Sequence, residues 1–162
     1  MNPGGFAAAL AEIVPSLAAE FAVRTPPLAE ILRRWTGECE PMLRRATVRT
    51  QGCFEPEDVL AQICTGRCTM LFVEHGAALV AVAVAEVRDF PRKRVLDVGF
   101  IGGRKGNDTG VTEWAPILTA KLEEMARAVG ATMLSGCGRI GWARVAGFRI
   151  AGGYVTRIVP HE

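Results

Sequence analysis

The sequence predicts an α+β fold, a mixed central sheet layered with helices. Three observations carry this. Up to about residue 66 apolar residues recur at helical spacing. From Thr69 the texture changes to short, strongly apolar runs broken by polar turns. After Gly103, helix-like and strand-like segments alternate.

In order along the chain, residues 5–24 read as one or two alanine-rich helices kinked at Pro15, with Phe6, Leu10, Ile13, Leu17 and Phe21 as the apolar stripe. Thr25-Pro26-Pro27 stops them. A helix follows from Leu28 to Trp35, and a shorter one from Glu38 to Ala46 turns Met42 and Leu43 inward. FEPEDVLAQICTG is another: Pro56 suits a first turn, Val59, Leu60 and Ile63 form the stripe, and Gly66 ends it.

Thr69–Glu74 and Ala77–Val87 read as a hairpin around His75-Gly76, the second strand apolar enough to be covered on both faces. A polar turn at Asp89–Lys93 leads into a third strand, Arg94–Gly103. GGRKGNDTG, residues 102–110, is a loop. The longest helix spans about Thr112 to Val129, with Thr112 as its cap and Leu118, Leu122, Met125 and Val129 inward. ATMLSG is a strand, GRIGWARVAGF a stubby helix, and Tyr154–Pro160 a final strand. The division expected is a helical segment over 1–50 and a sheet-based domain over 51–162.

Composition limits the function classes. The chain has 162 residues, 49% hydrophobic and 22% charged, enough for an ordinary core. A formal net charge of +2 argues against a nucleic-acid binder that works by charge alone. The basic runs Arg33-Arg34, Arg44-Arg45 and Arg92-Lys93-Arg94 read as solvated faces. Five cysteines without a CxxC pair, beside two histidines, argue against a zinc site and for free thiols in a reducing compartment. Glu12, Pro15 and Glu20 interrupt the apolar N-terminal stretch before the ~18 residues a membrane span needs, and no basic leader precedes it. Neither secretion nor a membrane partner is expected.

The chemistry is expected where a strand (RVLDVGFIGG) feeds a glycine-rich loop and the loop feeds a helix. Free N–H groups and the helix dipole make such a helix start an anion site. Arg104 and Lys105 add positive charge, whereas Asp108 opposes an anion. The arrangement resembles the GNAT acyltransferase superfamily, in which that helix receives the pyrophosphate of acetyl-CoA. Gly147-Phe148, between a short helix and a last strand, matches the family's terminal Gly-Phe. The resemblance implies Gly102, Gly103, Arg104, Lys105 and Gly106 as cofactor-binding residues if acetyl-CoA binds.

The departures from the family pattern are specific. The family's loop has a glycine three residues after its first Gln or Arg; here that position is Asn107. The family's general acid, a tyrosine four residues before the terminal glycine, is replaced by Ala143, and the one tyrosine, Tyr154, lies in the last strand. No catalytic residue is carried over. Asp97 or Glu86 could serve as a base if buried beside the cleft. Trp142 and Val145 are expected in the core, while Arg139 and Arg144 form a polar face suited to a carboxylate.

FEPEDVLAQICTG, DFPRKRVLDVGFIGG, WAPILTAKLEEMARAVGAT and GRIGWARVAGF together resemble small GNAT-like proteins encoded among tailed-phage structural genes, akin to internal virion proteins. That resemblance implies a structural or assembly protein of a phage particle, located in the virion or the host cytoplasm. It also implies degraded acetyltransferase motifs. The glycine spacing of the loop and Asp108 lead to the expectation of no cofactor, and the apolar stripe Phe6, Leu10, Ile13, Leu17 and Phe21 to attachment to other virion proteins through residues 1–27. The alternative is an acetyl-CoA-dependent N-acyltransferase.

Overall fold

The computed structural model describes residues 20–104, 110–136, 147–151 and 154–160. A seven-stranded sheet in the order β1-β2-β3-β4-β5-β7-β6 forms the centre. Its strands are β1 (Phe21–Arg24), β2 (Thr69–His75), β3 (Ala78–Phe90), β4 (Lys93–Gly103), β5 (Met133–Gly136), β6 (Arg149–Ala151) and β7 (Tyr154–Ile158). All neighbours run antiparallel except β4 and β5. The parallel pair needs a crossover, supplied by the long helix α4 (Val111–Ala128). Helices α1 (Leu28–Arg34), α2 (Glu40–Thr47) and α3 (Pro56–Cys64) cover the other face, with the π-helical turn Trp35–Cys39 joining α1 to α2. This is the α+β layering expected from the sequence.

Alternation along β3 sorts the two layers. Ala81, Ala83 and Ala85 face α4 and pack with Trp114, Leu118 and Leu122; Val82 and Val84 face α1–α3 and pack with Ile31, Met42, Leu43 and Val59. Small alanines let the bulky stripe of α4 close onto the sheet. The covered second strand of the hairpin is therefore as expected, and the hairpin turns at Gly76, where φ is 60°. Gly66 ends the α3 region at φ 74°, and a reciprocal capping box between Glu55 and Asp58 starts it.

Three local expectations are corrected. Phe21–Arg24 is an edge strand, not the end of a helix. Phe21 and Val23 pack into the α4 layer, and Arg24 turns to the opposite face, where its guanidinium lies over the Phe72 ring. Alternation over four residues was outweighed in the sequence by the alanine-rich run before it. The cap of α4 is Gly110 at φ 103°, not Thr112, which is exposed in the first turn. A further strand, β6, follows Phe148, which is buried. The helix expected over GRIGWARVAGF, with Arg139, Trp142, Arg144 and Val145, lies outside the described residues, as do residues 1–19.

An arginine–carboxylate network ties β1 to α1. Arg24 donates to Glu74 through Nε (2.8 Å) and to Glu30 through Nη1 (2.8 Å), and Arg34 Nε donates to Glu38 Oε1 (2.8 Å). Hydrogen bonds from Arg24 hold the Glu30 carboxyl at about 2, below its ordinary 4.5. No described helix is long and apolar enough to cross a membrane.

Candidate functional site

The site is built around β4. Among the described residues its parallel pairing with β5 runs from Val95↔Met133 to Val98↔Gly136, while β4 continues to Gly103. Phe100–Gly103, among the described residues, have a strand partner only in β3. Gly99 falls between the pairs Ala85↔Val98 and Val84↔Phe100 and is the extra residue of a β-bulge. The bulge switches parity: Val98 packs with the α4 layer, and Phe100 with the α1–α3 layer. At the last rung a Cβ on Gly136 would stand 2.8 Å from the Val98 carbonyl oxygen, so glycine permits that approach.

Beyond Gly103 the chain leads to the start of α4, whose cap has no side-chain hydrogen bond. The sequence-predicted residues occupy this path, but two of them have structural duties. A Cβ on Gly102 would overlap the Met42 carbonyl of α2, so Gly102 lets α2 lie against β4. The Gly103 carbonyl accepts a hydrogen bond from Arg45 Nη1 at 2.9 Å. Arg104 is half exposed; its backbone N–H donates to the Val80 carbonyl (3.0 Å) and its Nη2 pairs with Glu38 Oε2 at 3.5 Å. Lys105, Gly106 and Asp108 lie outside the described residues.

On the face covered elsewhere by α1–α3, paired positions place a polar row across five strands: Glu86, Asp97, Ser135, Thr156 and Arg149. Asp97 is 8% exposed. The Ser135 hydroxyl donates to Asp97 Oδ1 at 2.6 Å, and Arg88 Nη2 stands 3.1 Å from Oδ2. The same guanidinium donates from Nε to Glu86 Oε1 at 2.7 Å, and Arg67 Nε lies 3.5 Å from Glu86 Oε2. The two carboxylates singled out in the sequence are thus adjacent and oriented, Asp97 buried and Glu86 half-buried. Asp97 is one residue before the last β4–β5 rung. Sequence reasoning missed Arg88, Ser135 and Gly99; a serine in a four-residue strand carries no signal until its register with Asp97 is known.

Burial pushes the Cys39 and Cys68 thiols up to about 11, and for Cys68 the neighbouring Glu86 adds to the effect. Cys53 and Cys64 are exposed.

No family model matches the sequence, and no curated protein does. Solved structures do match the fold. A structure described as a probable acetyltransferase superposes with a TM-score of 0.61 at 14% identity, over 87% of this chain and 99% of its own. The putative acetyltransferase yncA of Salmonella typhimurium, solved with acetyl-CoA, gives 0.59 at 13% identity over 88% and 95%. A GNAT family acetyltransferase of Brucella melitensis, also with acetyl-CoA, gives 0.57 at 10% over 89% and 91%.

The chain has the GNAT fold.

At these identities the likeness speaks for architecture alone. It supports the GNAT part of the sequence expectation and lends none to the phage-particle part.

Proposed function

We propose that the chain is an acetyl-CoA-dependent N-acyltransferase. The observation that carries this reading is that, among the described residues, β4–β5 pairing reaches Val98–Gly136 while β4 runs on to Gly103 and toward the start of α4. An extended ligand with amide groups can pair along such an edge, and its phosphates suit a helix start whose cap residue is glycine. Gly102, Gly103, Arg104, Lys105 and Gly106 would hold it. The solved neighbours that carry acetyl-CoA have the same fold. This reading replaces the expectation of no cofactor, which rested on glycine spacing in the loop and on Asp108.

Bound acetyl-CoA supplies an acyl thioester; the rest falls to this chain. Asp97, held at both oxygens by Ser135 and Arg88, takes a proton from the acceptor ammonium so that a neutral amine is present. A carboxylate fixed in this way needs little reorganisation when the proton moves. Ala143 cannot return a proton to the leaving sulfur, and water does so instead.

Thiol release from acetyl-CoA in the presence of a panel of primary amines tests the proposal. Amine-dependent release is expected, and Asp97→Asn should lower it about 10²–10⁴-fold while acetyl-CoA affinity stays at the parent level. Release that no amine accelerates, or an Asp97→Asn variant as active as the parent, contradicts it.

A further inference from the structure

Next to the polar row lies a groove that the transfer chemistry does not use. It is an open cavity of about 430 Å³ lined by Phe90, Pro91, Arg92, Lys93, Val95 and Met133. That volume is within the range of small-ligand sites. Register places it: Phe90 pairs with Lys93, Val95 with Met133, and Met133 with Ile158. Alternation puts Lys93, Val95 and Asp97 on one face of β4. Val95 is 1% exposed yet belongs to neither helix-packed core, whereas Phe90 is 53% and Ile158 71% exposed. The exposed apolar surface here is that of Phe90 and Ile158, while Val95 is covered and pairs across the sheet with Arg88.

Three chemistries therefore follow one another along β4. Asp97 stands beside the last β4–β5 rung with the Arg88 guanidinium against it, Phe90 and Met133 line an apolar stretch, and Lys93 with Arg92 supplies positive charge at the far end. Successive same-face residues are about 6.8 Å apart, so Asp97 and Lys93 are separated by about 13 Å of strand.

From this sequence of groups we infer that the acceptor is an amine with an apolar body and an anionic far end, such as an ω-amino carboxylate. The inference rests on the acyltransferase reading for the role of the amine, and on the groove alone for the rest. The amine meets Asp97 and Glu86 beside Arg88, the methylenes run over Phe90 and Met133, and the carboxylate meets Lys93 and Arg92. A diamine of the same length brings its second cation against those two side chains, and a plain alkylamine leaves them without a partner.

The test uses the full chain with 8-aminooctanoate, octylamine and 1,8-diaminooctane. Binding of each is followed by ligand-observed NMR without acetyl-CoA, and thiol release is followed with it. The acid should bind up to about fivefold better than octylamine, the scale of an exposed ion pair, and the diamine worst. Lys93→Glu, at an exposed position, should melt like the parent and reverse the order of acid and diamine. Equal binding of the three, or an order that Lys93→Glu leaves unchanged, overturns the inference. Selective binding of the acid with no thiol release from acetyl-CoA keeps the groove as an ω-amino acid site and removes the transfer reading.

Discussion

Glycines at two positions of β4 show how far identical residues differ in duty. A Cβ at Gly99 meets no atom within 4 Å, whereas at Gly102 it overlaps the Met42 carbonyl. Gly102→Ala must therefore push α2 off the strand, and a loss of about 1–3 kcal/mol is expected. Gly99→Ala should stay within about 0.5 kcal/mol. Chemical denaturation of the two variants decides; equal stabilities would show that α2 does not lie against Gly102. The sequence marks both glycines alike, because a close approach between a strand and a helix has no local signature. The site carboxylates illustrate the same limit. Asp97 and Glu86 were legible as candidates by residue type, but their company was not. Ser135 and Arg88 reach Asp97 through strand register, across 38 and 9 positions of chain.

Among the elements, β1 and α1 depend on charge as much as on packing. Arg24 and Arg34 lie against Phe72, at 5.4 and 5.2 Å from its ring centre, and are held by Glu30, Glu38 and Glu74. Hydrogen bonding to Arg24 depresses the folded-state value of Glu30 from 4.5 to about 2. A depressed carboxylate contributes stability that is complete above 4.5 and is lost as pH falls toward about 2. Glu38 and Glu74 are lowered too, by Arg34 and Arg24 respectively. Stability should thus fall with acid across that window, and Glu30→Gln should flatten the fall. Urea titrations at several pH values measure both, and parallel pH curves for parent and variant would remove Glu30 from the network. Long amphipathic elements such as α4 and β3 were legible because periodicity over many residues outweighs local noise. Four-residue β1 was not, since a strand that short is made by its partner β2.

For the molecule as a whole, the fold class followed from the order of periodic segments, and the GNAT arrangement from one strand–loop–helix step. Function was harder to read. The sequence weighed the missing tyrosine and the irregular glycine spacing, both local defects, against the cofactor. The structure adds what those defects do not touch: the β4 edge is formed by backbone, and backbone groups bind amides and phosphates whatever side chains flank them. The central claim is that this edge and the start of α4 bind acetyl-CoA. Calorimetric titration of the full chain with acetyl-CoA, repeated on Thr112→Glu, tests it most directly. An acid in the first turn favours the helix dipole but repels a ligand's phosphates, so the variant should be as stable as the parent and bind more weakly. A parent dissociation constant in the ordinary range for enzyme substrates, roughly 1 µM to 1 mM, weakened about tenfold by Thr112→Glu, is the expected result. No saturable heat with the parent, or equal affinity in the two proteins, would contradict it.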